Sequence, residues 1–269
     1  MPHEFDGKKY EKASAHQKEW GSAIIAELCL TGNERVLDLG CGDCVLSSQI
    51  ADLLPCGEVV GIDASQGMID VACERKRRNL SFLLRDIDSL DGVEEFDLIF
   101  SNATLHWVKD HERLLCKVRR ALRDGGKIRF NFAGEGNCSH FFRVVRECMK
   151  MDTFQEYFRN FEWPWYMPSV PEYMVTVEHS GLKNSRVLGE NADRYFPDTQ
   201  AMVNWVDQPS LVPFLSMITD ADKQKFREIV ISRMMELTLQ EDGRCFETFR
   251  RINVIAENSD AQSSARPAL

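Results

Sequence analysis

Two acids and two glycines carry the chemistry that is easiest to read in this chain. The run Val36-Leu37-Asp38-Leu39-Gly40-Cys41-Gly42-Asp43-Cys44 places an acid at the end of an apolar stretch, followed by two glycines one residue apart. The next acid to follow an apolar run is Asp63, in Glu58-Val59-Val60-Gly61-Ile62-Asp63. Glycine in such a turn lets backbone approach a ligand with no Cβ in the way. A carboxylate about 20 residues on, at the end of the next strand, is placed to accept hydrogen bonds from ribose hydroxyls. Together they predict an adenosine-containing cofactor on a doubly wound α/β sheet.

The spacing discriminates among such cofactors. A dinucleotide fingerprint has a third glycine three residues past the second, and here that residue is Val45. No phosphate-cradling lysine follows, which excludes a P-loop. A carboxylate at Asp38 would crowd a pyrophosphate but suits a ligand bearing an ammonium group. Strand, acid and glycine turn resemble the first motif of the class I S-adenosylmethionine-dependent methyltransferases.

The resemblance continues in order along the chain. Asp86-Ile87, after Phe82-Leu83-Leu84, looks like the family's adenine-contacting acid, and Phe96 to Trp107 like its fourth strand and following loop. Leu122-Arg123-Asp124-Gly125-Gly126-Lys127 looks like the turn before its fifth strand. The resemblance implies S-adenosyl-L-methionine as cofactor, S-adenosyl-L-homocysteine as product, and no metal. It implies that Asp38, Gly40 and Gly42 hold the methionine moiety, Asp63 the ribose and Asp86 the adenine, with Ile87 packed on the base. Cys41, Ala64, Met68 and Asn102 complete the implied cofactor site. Cys44 stands where the family's turn usually has glycine. It is expected to press on the amino-acid end of the cofactor and lower affinity, and a thiol opening a helix is expected to have a lowered pKa.

The elements that must position these residues alternate. Helix is expected over about 8–30, 45–54, from Ser65 to about 76, and from Asp110 to Gly125-Gly126. Strands are expected at about 35–39, 58–62, 81–84, 96–100 and 127–132. Alternation of this kind forces a parallel sheet with right-handed crossovers. Residues 134–168 are aromatic-rich and read as a helical insertion over the cofactor site. A helix over 171–181, a strand over 183–190, short and long helices from Asp198 and Thr219, and a last strand over 246–255 follow. The expected fold is a Rossmann-like, seven-stranded, mostly parallel methyltransferase sheet with an antiparallel last strand and an α-helical cap. The expected organisation is an N-terminal helical lid (1–30), a cofactor-binding core (31–133), the insertion (134–168), the remainder of the sheet with cap helices (169–257) and a disordered tail (258–269).

Composition narrows the partners. The chain has 269 residues, is 43% hydrophobic and carries a formal net charge of −9. That balance argues against nucleic acid, whose phosphates call for a basic stripe. There is no apolar run long enough for a membrane span, and the polar stretch Met1 to Tyr10 is not expected to act as a signal peptide. Nine cysteines, an odd number, fit reduced thiols and a cytoplasmic protein. A monomer or homodimer is expected.

The late segments, with Trp205, Pro213, Phe226, Glu241-Asp242-Gly243-Arg244 and Phe249-Arg250-Arg251, are similar in layout to trans-aconitate methyltransferases. Tyr10, Gln17 and Leu105-His106-Trp107 resemble insect juvenile hormone acid methyltransferases. Both resemblances imply O-methylation of a carboxylate on a small molecule. An ionised carboxylate needs no general base, only approach geometry and a dry pocket. Trp107, His106 and Gln17 are the candidates for the methyl-transfer centre, Gln17 with Tyr10 as a lid. Arg143, Arg146, Arg194 and Arg244 are candidates to grip the carboxylate. The rival expectations are C- or N-methylation of a larger apolar acceptor, and a non-catalytic cofactor-binding scaffold.

Overall fold

The computed structural model describes residues 14–259, together with Glu4 and Gly7. The expected helix before residue 14, the lid residue Tyr10 and the tail beyond 259 lie outside the described residues.

Nine strands are described: β1 (Arg35–Leu39), β2 (Glu58–Asp63), β3 (Leu80–Leu84), β4 (Phe96–Asn102), β5 (Leu122–Ala133), β6 (Lys183–Asn191), β7 (Arg194–Phe196), β8 (Cys245–Glu247) and β9 (Arg250–Asn258). Seven of them form one sheet in the order β3-β2-β1-β4-β5-β9-β6, and β7 and β8 pair separately. β1, β2, β3, β4 and β5 are mutually parallel, while β9 lies antiparallel between β5 and β6. The central strands read as near-continuous apolar runs because both faces are covered. Val36, Leu37 and Leu39 of β1, and Ile99 and Phe100 of β4, are at most 2% exposed.

The helices are α1 (Ala15–Ala26), α2 (Val45–Asp52), α3 (Gln66–Cys73), α4 (His111–Ala121), α5 (Ser139–Met149), α6 (Val170–His179), α7 (Thr199–Trp205), α8 (Val212–Leu215) and α9 (Asp220–Thr238). Their starts follow the expected capping chemistry. Asp110 accepts from Arg113 N at 2.9 Å, Asp198 from Ala201 N at 2.8 Å, and Ser65 from Met68 N at 3.4 Å. α4 buries Leu114, Leu115, Val118 and Ala121 against the sheet. Glu4 reaches α3 from the N-terminal side, accepting from Gly67 N at 2.7 Å, Ser65 Oγ at 3.0 Å and Gln66 N at 3.2 Å.

Four expectations are corrected. α1 stops at Ala26, well before the apolar run 35–39 begins β1. α4 stops at Ala121, and Leu122 already pairs with Phe96 before the left-handed turn at Gly125 (φ +75°). Residues 134–168 hold one α-helix and a 3₁₀ turn (Gln155–Phe158); residues 159–168 add no further helix. The expected last strand is two, β8 and β9, broken at Thr248-Phe249. The break has a physical reason. Glu247 turns inward, is 0% exposed, and accepts from Phe141 N at 2.9 Å, His140 N at 3.1 Å and Thr248 N at 2.8 Å. Its carboxylate caps the N-terminus of α5, where the helix dipole favours negative charge.

The aromatic cap packs as one cluster. Phe141, Phe142, Phe154, Phe158 and Trp165 meet Trp205, Phe214, Phe226 and Phe249 from later segments. Glu247 ties the start of α5 in this cap to Thr248, the link from β8 to β9. Glu247→Ala is expected to destabilise the protein by about 3 kcal/mol, since the buried Phe141 N–H and the half-buried His140 and Thr248 N–H groups lose their acceptor. Urea unfolding measures this, and Glu247→Gln, which keeps an acceptor oxygen, should cost less.

Candidate active site

Register brings the reactive residues to one edge. Asp38 lies opposite Gly61 on β2 and Phe100 on β4. Asn102 closes β4 opposite Asn131, which pairs with Asn253, while Ala133 pairs with Arg251. Because β9 runs antiparallel, its first residues arrive where the parallel strands end. Ligands in such sheets bind outside the carboxyl ends of the strands, where strand order reverses. A cavity of about 550 Å³ opens at that edge.

The turn after β1 is shaped by its glycines. Gly40 and Gly42 have φ of +76° and +53°. A Cβ on Gly40 would lie 2.1 Å from Thr104 Cγ2, so only glycine fits. Gly40 N and Cys41 N both donate to Ile62 O, at 2.8 and 3.0 Å. Asp63 accepts from Gly42 N at 3.0 Å and Ser65 N at 2.9 Å, one bond per carboxylate oxygen. Each of those oxygens keeps a lone pair for a further donor.

Below this turn the cavity is rich in acceptors. Asp38 is 2% exposed and accepts from Ser47 Oγ at 2.6 Å. Burial pushes its carboxyl up to about 7; the Ser47 hydroxyl opposes this and the nearby Asp63 charge adds to it. Asn102 Nδ2 donates to Gln17 O at 2.9 Å. Asn102 Oδ1 and Gln17 Oε1 are buried with no hydrogen-bond partner among the described residues. A buried carboxyl and two orphaned amide oxygens around one cavity call for a donor-rich cation. The ammonium group of S-adenosylmethionine meets that requirement.

The opposite wall begins at the 3₁₀ turn Leu105–Trp107. His111 supports it from behind, contacting Leu105 O through Nε2 and the Tyr173 hydroxyl through Nδ1, both at 2.9 Å. A carbonyl only accepts, so Nε2 carries the proton and Nδ1 accepts from Tyr173. Burial pushes His111 down to about 4. Burial pushes His106 down to about 3, with the Arg251 and His111 charges adding to it, so its imidazole is neutral. His106 Nδ1 is buried with no partner among the described residues. The cap is fastened to this turn: Tyr166 N donates to His106 O at 2.8 Å, and Lys109 Nζ donates to the carbonyls of Trp163 and Trp165. The Trp107 and Trp165 rings sit 5.1 Å apart.

Thirteen of the sequence-predicted site residues line this one cavity: Gln17, Asp38, Gly40, Cys41, Gly42, Asp63, Ala64, Met68, Asp86, Ile87, Asn102, His106 and Trp107. Asp86 sits exposed on the rim, where it accepts from Asp88 N at 2.8 Å. The four proposed arginines do not line it. Arg143 pairs with Glu147, Arg194 with Glu19 and Arg244 with Asp242, and Arg146 stacks on Trp163. The arginine that does is Arg251, 4% exposed. Its Nε donates to Asn131 Oδ1 at 2.8 Å and its Nη2 to Asn131 O at 3.2 Å, with Cζ 4.7 Å from the Trp20 ring centre. Arg251 is named in the sequence only as part of Phe249-Arg250-Arg251; nothing local shows that β9 turns it into the site. Among the described residues no cluster of three or more His, Cys, Asp or Glu could hold a metal, and no helix is long and apolar enough to cross a membrane.

Cys44 is also corrected. Its backbone is left-handed, with φ +61°. Its side chain, however, points away from the cavity into the core, with Sγ 3.6 Å from Ala72 O. Burial pushes the thiol up to about 12, the reverse of the expected lowering. The exposed thiols are Cys29, Cys56, Cys73 and Cys116; Cys41, Cys44, Cys138, Cys148 and Cys245 are buried. Iodoacetamide at pH 8 should therefore label the first group in native protein and the second only after unfolding, as read by peptide mass spectrometry.

The comparisons with known proteins agree with this geometry. Residues 30–163 match the model of a family described as a methyltransferase domain. Trans-aconitate 2-methyltransferase of Deinococcus radiodurans is 28% identical over 228 residues, covering 82% of this chain and 86% of that protein. Malonyl-[acyl-carrier protein] O-methyltransferase 1 of Ilyobacter polytropus is 28% identical over 159 residues, covering 57% of this chain and 58% of that protein. In fold, the chain is similar to a Haemonchus contortus phosphoethanolamine N-methyltransferase 2 solved with S-adenosylhomocysteine. That likeness has a TM-score of 0.60 and 19% identity, and covers 94% of this chain and 57% of the other. With the glycine turn, the reversed strand order and the acceptor-lined corner beside them, these matches make the chain a member of the S-adenosylmethionine-dependent methyltransferases.

Proposed function

We propose that this chain methylates a carboxylate oxygen of a small organic acid. The observation that carries the reading is Arg251, a buried guanidinium lining the acceptor side of the cavity beside the neutral His106. A guanidinium matches a carboxylate in both charge and planar geometry. Two relatives support the reading, since their names describe methylation of trans-aconitate and of malonyl-[acyl-carrier protein].

The residues divide into two groups. Asp38, Asn102 Oδ1 and Gln17 Oε1 would receive the ammonium of the cofactor, with Gly40 and Gly42 clearing backbone for it. Asp63 would take the ribose, and Asp86, Ile87, Ala64 and Met68 the adenine end. When bound, S-adenosylmethionine supplies a sulfonium methyl, which the accepting oxygen gains as the carbon–sulfur bond breaks and the electron pair stays on sulfur. Trp107 would line the transfer centre, where an aromatic face steadies positive charge by roughly 0.5–2 kcal/mol. Arg251 would orient the acid, and Asn131 holds Arg251 in place. His106 would remain neutral and donate or accept a single hydrogen bond, with no base required.

Product formation tests the reading. Purified protein, S-adenosylmethionine and a panel of carboxylic acids, phenols and amines should yield S-adenosylhomocysteine and a base-labile methyl ester, detected by mass spectrometry. Methylated amine or phenol with no ester would replace this reading with the larger-acceptor one. Arg251→Leu should raise the KM for the acid roughly 10- to 100-fold, the equivalent of one charge-assisted hydrogen bond or two, while S-adenosylhomocysteine binding changes little.

The pH dependence follows from Asp38. In the free protein its raised pKa leaves it largely protonated below about 7. A cationic ligand group favours the ionised form, so binding releases that proton at low pH. S-adenosylhomocysteine affinity should rise about tenfold per pH unit up to near 7 and then level off. The same shift makes the free fold bind a proton that the unfolded chain releases, so Asp38 subtracts stability as pH rises through 4 to 7. Calorimetric titration across pH 5–8 measures the slope, and Asp38→Asn should bind weakly with no slope from this group.

A further inference from the structure

Resting on the carboxylate reading, a residue of α1 takes a part in receiving the acid. We propose that Trp20 is a positioning residue, whose ring supports the face of the Arg251 guanidinium and so sets how a carboxylate is met. Asn131 holds Arg251 by its edge, accepting from Nε at 2.8 Å and Nη2 at 3.2 Å. Such bonds lie in the plane of the guanidinium fork. They fix the edge but resist tilting out of that plane only weakly. A ring over the face resists tilting, and indole attracts a cation more strongly than the other aromatic rings do. Arg251 Cζ lies over the Trp20 ring, 4.7 Å from its centre.

The ring is itself held. Gln17 and Trp20 are three residues apart on α1, so they share a helix face, and both line the cavity. The bond from Asn102 Nδ2 to Gln17 O ties that turn of α1 to the end of β4. Phe249 meets the Trp20 ring edge-on, with centres 5.3 Å apart at 64°. Arg194 Cζ also lies over the ring, at 5.0 Å, and Glu19 accepts from Arg194 Nη1 at 2.8 Å. Arg194, which the sequence offered as a grip for the carboxylate, therefore reaches the site through Trp20. A contact that only orients Arg251 acts on the acid before and during transfer alike, so its loss shows in KM rather than in kcat.

The test uses the full chain with S-adenosylmethionine and four acids, octanoate, benzoate, citrate and trans-aconitate, and follows ester formation. Trp20→Leu should raise the KM of the best acid about 3- to 30-fold, with kcat within about threefold of the parent and S-adenosylhomocysteine affinity, the check on folding, within about twofold. Trp20→Phe, which keeps an aromatic face, should recover most of the loss. In an Arg251→Leu background Trp20→Leu should add little, because residues in contact are not additive. An unchanged KM in Trp20→Leu, or an effect that adds in full to that of Arg251→Leu, overturns the inference and leaves the carboxylate reading standing. So does a loss of S-adenosylhomocysteine affinity in step with the KM, which would make the ring a part of the fold alone. An unchanged KM in Arg251→Leu, or no ester from any of the four acids, overturns the carboxylate reading and the role of Trp20 with it.

Discussion

The contact between Gly40 and Thr104 is the constraint on which the site depends. It presses the loop after β1 against the loop after β4 so closely that a single added methyl would collide. Thr104 Oγ1 also donates to Gly40 O at 3.1 Å, so the two loops are bonded as well as packed. One side of this contact sets the glycine turn over Asp38, and the other sets Leu105–Trp107. The strand order reverses here: the chain leaves β1 toward β2 on one side, while β4 on the other side leads on to β5. The cleft that results is occupied by acceptors on one flank and aromatic rings on the other.

A second level of order lies beneath. Asn131 of β5 and Asn253 of β9 face each other, with Asn131 Nδ2 donating to Asn253 Oδ1 at 2.9 Å. Arg129 joins the same Asn253 oxygen at 3.0 Å, and Glu190 accepts from Asn253 Nδ2 at 2.9 Å. This chain of polar groups runs across three strands and ends at Arg251. Buried polar networks are costly when incomplete and orienting when complete. Here the network holds the Arg251 guanidinium in one orientation at the cavity wall.

The sheet and the cofactor corner were legible in the sequence because their signals are local. Apolar runs ending in Asp38, Asp63 and Asn102, glycines at 40 and 42, and the caps Ser65 and Asp110 each act within a few residues. The acceptor half was legible only as composition. Trp163 and Trp165 announced an aromatic cap, but nothing nearby told that Trp205 and Phe249 would complete its walls. Arg251 escaped for the same reason: it reaches the site only because β9 inserts antiparallel between β5 and β6. Glu247 escaped because a buried acid inside an apolar strand pattern reads as an outward-facing residue until its partners on α5 are known. Cys44 was read in the wrong direction, since its place in the glycine turn does not say where the side chain points.

The attachment of the cap to the Leu105–Trp107 turn has a consequence for the working cycle. Trp163, Trp165 and Tyr166 are bonded through Lys109 and the His106 carbonyl to the same turn that carries Trp107. Any swing of that cap segment wide enough to admit an acceptor strains or breaks those bonds and loosens the turn with it. The position of the Trp163–Tyr166 segment and that of the Trp107 turn are thereby coupled.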